Sequence, residues 1–98
     1  MTPRLFVRKA ARADLTEAFA WYEGRSAGLG YEFLRAVEVA FAAIERGPEQ
    51  FAVVVDDIRK ARVHRFPYLV HFVILERQIS VIAVSHGRQD PRRWQRRR

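Results

Sequence analysis

The sequence predicts one α+β domain, a helical hairpin packed on a small antiparallel sheet, in the order β-α-α-β-β-β with a short final helix. Three observations carry that reading. Two helical stripes meet at a glycine-rich reversal. Two apolar runs late in the chain, Leu69 to Leu75 and Ile79 to Val84, are dense in the β-branched residues that suit a pleated surface. At 98 residues there is room for one core and no second domain.

Leu5-Phe6-Val7, flanked by Arg4 and Arg8, reads as a short strand at a sheet edge, where charge discourages unwanted pairing. From about Ala10 the period turns helical. Leu15, Ala18, Phe19 and Tyr22 share one face, with Glu17 and Glu23 turned away. Trp21 and Tyr22 are expected in the core or between helices. Ser26-Ala27-Gly28 stops this helix, and Gly28-Leu29-Gly30 reverses the chain. A second helix over about Leu29 to Glu45 carries Leu34, Val37, Phe41 and Ile44, broadened by Phe33. Gly47 is predicted to end it in a left-handed cap, and Pro48 prevents its continuation.

Phe51 to Val55 leads toward the sheet and either joins it or only approaches it. The stretch Arg62 to His86 then reads as strand, break, strand, tight turn, strand, with Glu76-Arg77-Gln78 as the turn. Within Arg62 to Phe66 neither face is cleanly apolar, which calls for a bulge or an earlier strand end, and Pro67 interrupts pairing. The helical stripes need cover, so one face of the sheet packs on the hairpin. That leaves the outer face and the strand ends for function. In the tail, residues 91–98, Asp90 suits a helix cap and Pro91 a first helical position. The last three arginines are expected to fray.

A hydrophobic fraction of 49% excludes disorder for the body of the chain. The absence of cysteine excludes disulfides, thiolate catalysis and cysteine zinc sites, and suits a reducing cytoplasm. Asp14, Glu17 and Glu23 interrupt the first 30 residues, so no signal peptide is expected, and no apolar run is long enough to span a membrane. His64, His71 and His86 have no recognised ligand spacing, so neither metal nor cofactor is expected.

The net charge of +7 is unevenly spread. Residues 1–58 hold seven Lys/Arg against nine Asp/Glu, a balance of −2; residues 59–98 hold eleven against two, a balance of +9. Such a field draws nucleic acid, an anionic membrane or an acidic protein. Arg59, Lys60, Arg62, His64 and Arg65 enter the late strands, and His86 and Arg88 leave them. Guanidinium groups hold phosphate or carboxylate oxygens, and a histidine beside them moves protons near neutrality. Together they are the parts for metal-free RNA cleavage by the 2′-hydroxyl, or for docking an acidic partner with no chemistry at all. His71, inside an apolar strand, reads as a hydrogen-bonded sheet residue. Trp94 reads as a staple for the tail, with a base-stacking platform as the alternative.

Several motifs in order resemble the RelE/ParE superfamily of bacterial type II toxins, especially its ParE-like branch. They are Ala13-Asp14-Leu15, Ala20-Trp21-Tyr22-Glu23, Gly28-Leu29-Gly30, Arg65-Phe66-Pro67-Tyr68-Leu69-Val70, and His86-Gly87-Arg88-Gln89-Asp90-Pro91 with Trp94. The resemblance implies a helical hairpin on an antiparallel sheet. It implies a hetero-oligomer with a cognate antitoxin whose acidic C-terminal segment wraps the basic toxin, and growth arrest when the toxin is free. RelE-like members cleave mRNA on the ribosome; characterised ParE-like members inhibit DNA gyrase. If this chain is a nuclease, Arg65, His86 and Arg88 fall where such enzymes keep catalytic residues, but the tail has Trp94 and no tyrosine. If it is a binding protein, Arg59, Lys60, Arg62, His64, Arg92, Arg93 and Trp94 form the surface for target or antitoxin. A non-toxic relative that keeps only antitoxin binding is the third reading.

Overall fold

A computed structural model describes residues 3–98. The elements are β1 (Arg4–Val7), α1 (Lys9–Arg25), α2 (Leu29–Arg46), β2 (Val53–Val55), β3 (Ile58–Arg62), β4 (Tyr68–Leu75), β5 (Gln78–His86) and α3 (Arg92–Gln95), with one 3₁₀ turn at Pro48–Gln50. The five strands form one sheet in the order β1-β5-β4-β3-β2. All neighbours are antiparallel except β1, which pairs parallel to β5, so the sheet is mixed.

The helical hairpin covers one face, as the stripes require. Ala11, Ala18 and Tyr22 of α1 and Phe33, Val37, Ala40 and Ile44 of α2 meet Ala61, Val70, Phe72, Ile79, Val81 and Val84 from the sheet. Burying a side chain the size of Phe33 or Ile44 contributes about 1.5–3 kcal/mol. The reversal between the helices has specific chemistry. Gly28 sits at φ 90°, a left-handed conformation that favours glycine. A Cβ on Gly30 would come within 2.7 Å of the Phe19 ring and 2.8 Å of the Phe19 carbonyl, so only glycine permits this close helix approach. Glu23 does not point away. It folds back and accepts the Gly28 N–H at 2.8 Å and the Gly30 N–H at 2.9 Å, because the first turn of α2 lacks a side-chain cap of its own.

Three further expectations need correction, and two open readings are settled. Gly47 is extended (φ −161°), not left-handed; Pro48 instead opens the 3₁₀ turn and ends the helix. Trp21 is 53% exposed, because its position on α1 lies off the buried stripe. β3 ends at Arg62, and Val63 to Phe66 form a turn closed by the Phe66 N–H on the Val63 carbonyl at 3.3 Å. That resolves the mixed-face conflict, since the alternation stops where the strand does. Val53–Val55 does join the sheet, as a three-residue edge strand.

The third correction concerns the tail and the outer face. Ile58, Val73, Ile82 and Ala83 form a second apolar cluster there, and Trp94 of α3 covers it. Two of the last three arginines are docked, and Arg96 is exposed. Arg97 pairs with Asp14 at 2.6 Å and Arg98 with Asp57 at 2.6 Å. Opposite-charge partners, supplied from 83 and 41 residues away, outweigh terminal fraying.

Candidate functional site

The candidate site forms where β3, β4 and β5 end together. Tyr68, the first residue of β4, pairs with His86, the last of β5. The Gly87 N–H donates to the Pro67 carbonyl at 2.8 Å and ties the two exit loops together. The Phe66-Pro67-Tyr68 loop is anchored by aromatic packing. Tyr22 and Phe33 from the helices meet Phe66 edge-on at 5.0 and 5.3 Å, and Phe33 meets Tyr68 at 5.0 Å. Such pairs prefer edge-to-face geometry, which holds the loop rigid.

Pro67 is a wall shared by two grooves. The larger, about 790 Å³, is lined by Glu17, Trp21 and Tyr22 of α1 with Pro67, Tyr68, His86 and Gln89. Its walls are largely apolar. The Arg25 guanidinium stacks over the exposed Trp21 ring at 4.1 Å, an arrangement worth about 0.5–1 kcal/mol at such a site. Burial raises the Tyr68 hydroxyl above the ordinary phenol range, and the nearby Tyr22, Glu17 and Asp14 add to that rise. The smaller groove, about 640 Å³, is polar and is lined by Arg62 to Pro67, including His64 and Arg65.

The three residues suited to RNA cleavage do not converge in one groove. His86 lines the first, Arg65 the second, and Arg88 neither. The His86 ring packs against Tyr68 at 5.3 Å, and its Nδ1 accepts the Arg88 N–H at 3.0 Å. Nε2 is thus the ring nitrogen left for a ligand. Arg65 is at φ 76°, and its guanidinium pairs with Glu32 at 3.2 Å on the surface. A bulky residue held in left-handed backbone costs about 1–3 kcal/mol and often marks a functional loop.

The wider basic set also divides. Lys60, Arg62 and His64 are exposed. Arg59 is half-buried, and its guanidinium serves the fold by donating to the carbonyls of Phe51 at 2.7 Å and Glu49 at 3.1 Å. Arg92 grips Asp90 at 2.7 Å, and this hydrogen bond holds the Asp90 carboxyl below its usual range. Asp90 also accepts the Arg92 backbone N–H at 3.0 Å, although the cap position of α3 falls on Pro91 and not on Asp90. Arg93 is exposed.

Trp94 is the staple, not the platform. It is 5% exposed and stacks on His71 at 3.7 Å and 19°. His71 is buried in the sheet with Ser85 Oγ 3.4 Å from its Nδ1, and burial, assisted by Lys60, lowers its pKa to about 4. No group of three or more His, Cys, Asp or Glu suited to a metal ion occurs among the described residues, and no helix there is long and apolar enough to cross a membrane.

Sequence reading missed the apolar groove and the Asp14–Arg97 pair. Trp21 carried a usable signal: it stands beside the stripe defined by Leu15, Ala18 and Tyr22, not on it. Nothing local in Ala13-Asp14-Leu15 reveals a partner in the tail.

Residues 5–91 match the family model described as ParE toxin of type II toxin-antitoxin system, parDE. Toxin ParE2 from Mycobacterium tuberculosis, strains CDC 1551 / Oshkosh and ATCC 25618 / H37Rv, is 28% identical over 92 residues, covering 93% of this chain and 88% of the relative. A solved structure described as the chromosomal ParDE TA system from P. aeruginosa shares the fold with a TM-score of 0.75 at 17% identity, covering 87% of this chain and 96% of that one. The fold, the ordered motifs and a match across nearly the whole sequence agree, and the chain belongs to the ParE toxin family of type II toxin–antitoxin systems.

Proposed function

We propose that this toxin acts in the cytoplasm, arrests growth when free by binding and inhibiting DNA gyrase, and is neutralised by an antitoxin with an acidic C-terminal segment. One observation carries the choice of binding over cleavage. Arg65 and His86 line different grooves with Pro67 between them, and Arg88 lines neither. General acid–base catalysis needs its groups within hydrogen-bond reach of one substrate. Docking makes no such demand. An apolar groove framed by Trp21 and Tyr68, with the exposed Arg62 lining the polar groove on the other side of Pro67, suits a segment that alternates apolar anchors with carboxylates. Arg65 and Arg88 extend the cationic rim.

The test is induction of the chain in cells without its antitoxin, with primer extension on cellular mRNA and an SOS reporter read together. Growth arrest with SOS induction and intact mRNA is the expected result. Codon-phased mRNA breaks that vanish in Arg65→Ala and His86→Ala would replace gyrase inhibition with ribosome-dependent cleavage. Harmless expression would leave only antitoxin binding.

A further inference from the structure

β5 outruns its neighbour. β1 pairs with it only from Gln78 to Val81, so Ile82 to His86 have no strand on that side. This edge is also where β5 carries its bulge: His71 pairs with Ala83 and Phe72 with Val81, leaving Ile82 as the extra residue. The segment Ile79 to Ser85 has no charged residue and is rich in Val and Ile. An open edge of that composition invites another strand.

Side chains occupy the slot instead. Arg97 donates to the Ile82 carbonyl at 3.1 Å, and Asp14 accepts the Val84 N–H at 3.0 Å. The two side chains pair at 2.6 Å, so one ion pair serves both edge groups. Arg8, the residue after β1, donates to the Arg97 carbonyl at 2.8 Å. Arg97 therefore stands where β1 would continue. Gln89 accepts the His86 N–H at 2.8 Å and closes the far end.

The two groups met by this ion pair have a specific geometry. An acceptor on Ile82 and a donor on Val84 flank Ala83 on one edge. In an antiparallel pair, a non-hydrogen-bonded position is bracketed by such groups, each N–H meeting the other strand's carbonyl. The segment is therefore complementary to itself about a two-fold axis at Ala83. We propose that the Asp14–Arg97 pair is a plug that prevents two copies of this chain from joining β5 to β5 through Ile82, Ala83 and Val84. Removing either partner frees one edge group and takes away the ion pair that holds the other side chain in the slot, so the Val84 N–H of each copy can donate to the Ile82 carbonyl of the other.

Sedimentation of Arg97→Ala and of Asp14→Ala, each checked for native circular dichroism, tests the plug. Both should shift from monomer to dimer as concentration rises, while the parent chain and the exposed-site variant Arg96→Ala stay monomeric. Register is tested by Ala83→Cys, clean because the chain has no other cysteine. Facing non-hydrogen-bonded residues lie about 4.5 Å apart at Cα, within reach of a disulfide. Oxidation should link copies in Arg97→Ala/Ala83→Cys and not in Ala83→Cys alone. If Arg97→Ala fails to fold, Arg97→Met, which keeps an unbranched apolar stem but has no donor for the Ile82 carbonyl, carries both measurements. Folded variants that stay monomeric at every concentration overturn the proposal, as does a dimer that resists linkage at Ala83.

Discussion

Asp14 and Arg97 meet at 2.6 Å although they come from opposite ends of the chain, one on α1 and the other past α3. Asp14 also accepts the Val84 N–H and Arg97 also donates to the Ile82 carbonyl. The pair thus fastens the helical hairpin, the edge of the sheet and the tail to one point.

Both side chains are mostly buried, so removing one strands the other. Asp14→Ala leaves the Arg97 guanidinium and the Val84 N–H without their acceptor, at an expected cost of about 2–4 kcal/mol. Urea unfolding at low protein concentration measures this without interference from association. A loss under about 0.5 kcal/mol would show the pair to be of the weak surface kind.

Arg65 should be more stable as glycine. Its φ of 76° costs an arginine what glycine avoids, while the Glu32 pair lost in the change is solvent-exposed and worth little. Arg65→Gly is expected to raise unfolding stability by about 0.5–1 kcal/mol and to weaken binding of an acidic peptide. A destabilised Arg65→Gly would mean that the turn, not function, requires the arginine.

Glu23 closes the reversal between the helices by taking two N–H groups. Glu23→Gln keeps one amide oxygen as acceptor, whereas Glu23→Ala keeps none. The expected order of thermal stability is parent, then Gln, then Ala, with Ala lower by about 1–2 kcal/mol. Equal melting of Gln and Ala would mean that only the charge matters.

These contacts mark the limit of what the sequence discloses. The stripe through Leu15, Ala18 and Tyr22 and the runs at Leu69–Leu75 and Ile79–Val84 are periodic, and periodicity reports burial directly. The parallel pairing of β1 is a long-range choice that no local pattern in Leu5-Phe6-Val7 encodes. Trp94 was legible as a staple because an aromatic behind Asp90-Pro91 has a helix turn to ride on. Arg97 was not, since its value depends on Asp14, and charge in a terminal tail looks solvated until a buried carboxylate is known to face it. The candidate site was legible as a basic end of the sheet. Its division by Pro67 depends on side-chain direction, which spacing alone does not give.

His71 makes stability depend on pH above the range in which Asp57 and Asp90 titrate. Its pKa falls from the usual 6.5 to about 4, first because it is buried and second because Lys60 is near, with Asp14 opposing. Between those two values the unfolded chain takes up a proton that the folded chain refuses. Stability is therefore complete above about pH 6.5 and declines as pH falls toward 4, by on the order of 3 kcal/mol across the window. Asp57 and Asp90, both held low by arginine partners, add their own loss only below about 3.8. His71→Phe keeps a ring against Trp94 but cannot titrate. Its absolute stability falls if the larger ring strains the stack, so the diagnostic is the slope. Urea midpoints at pH 7, 6, 5 and 4.5 should decline in the parent and stay nearly level in His71→Phe. Parallel declines in the two proteins would remove His71 as the source.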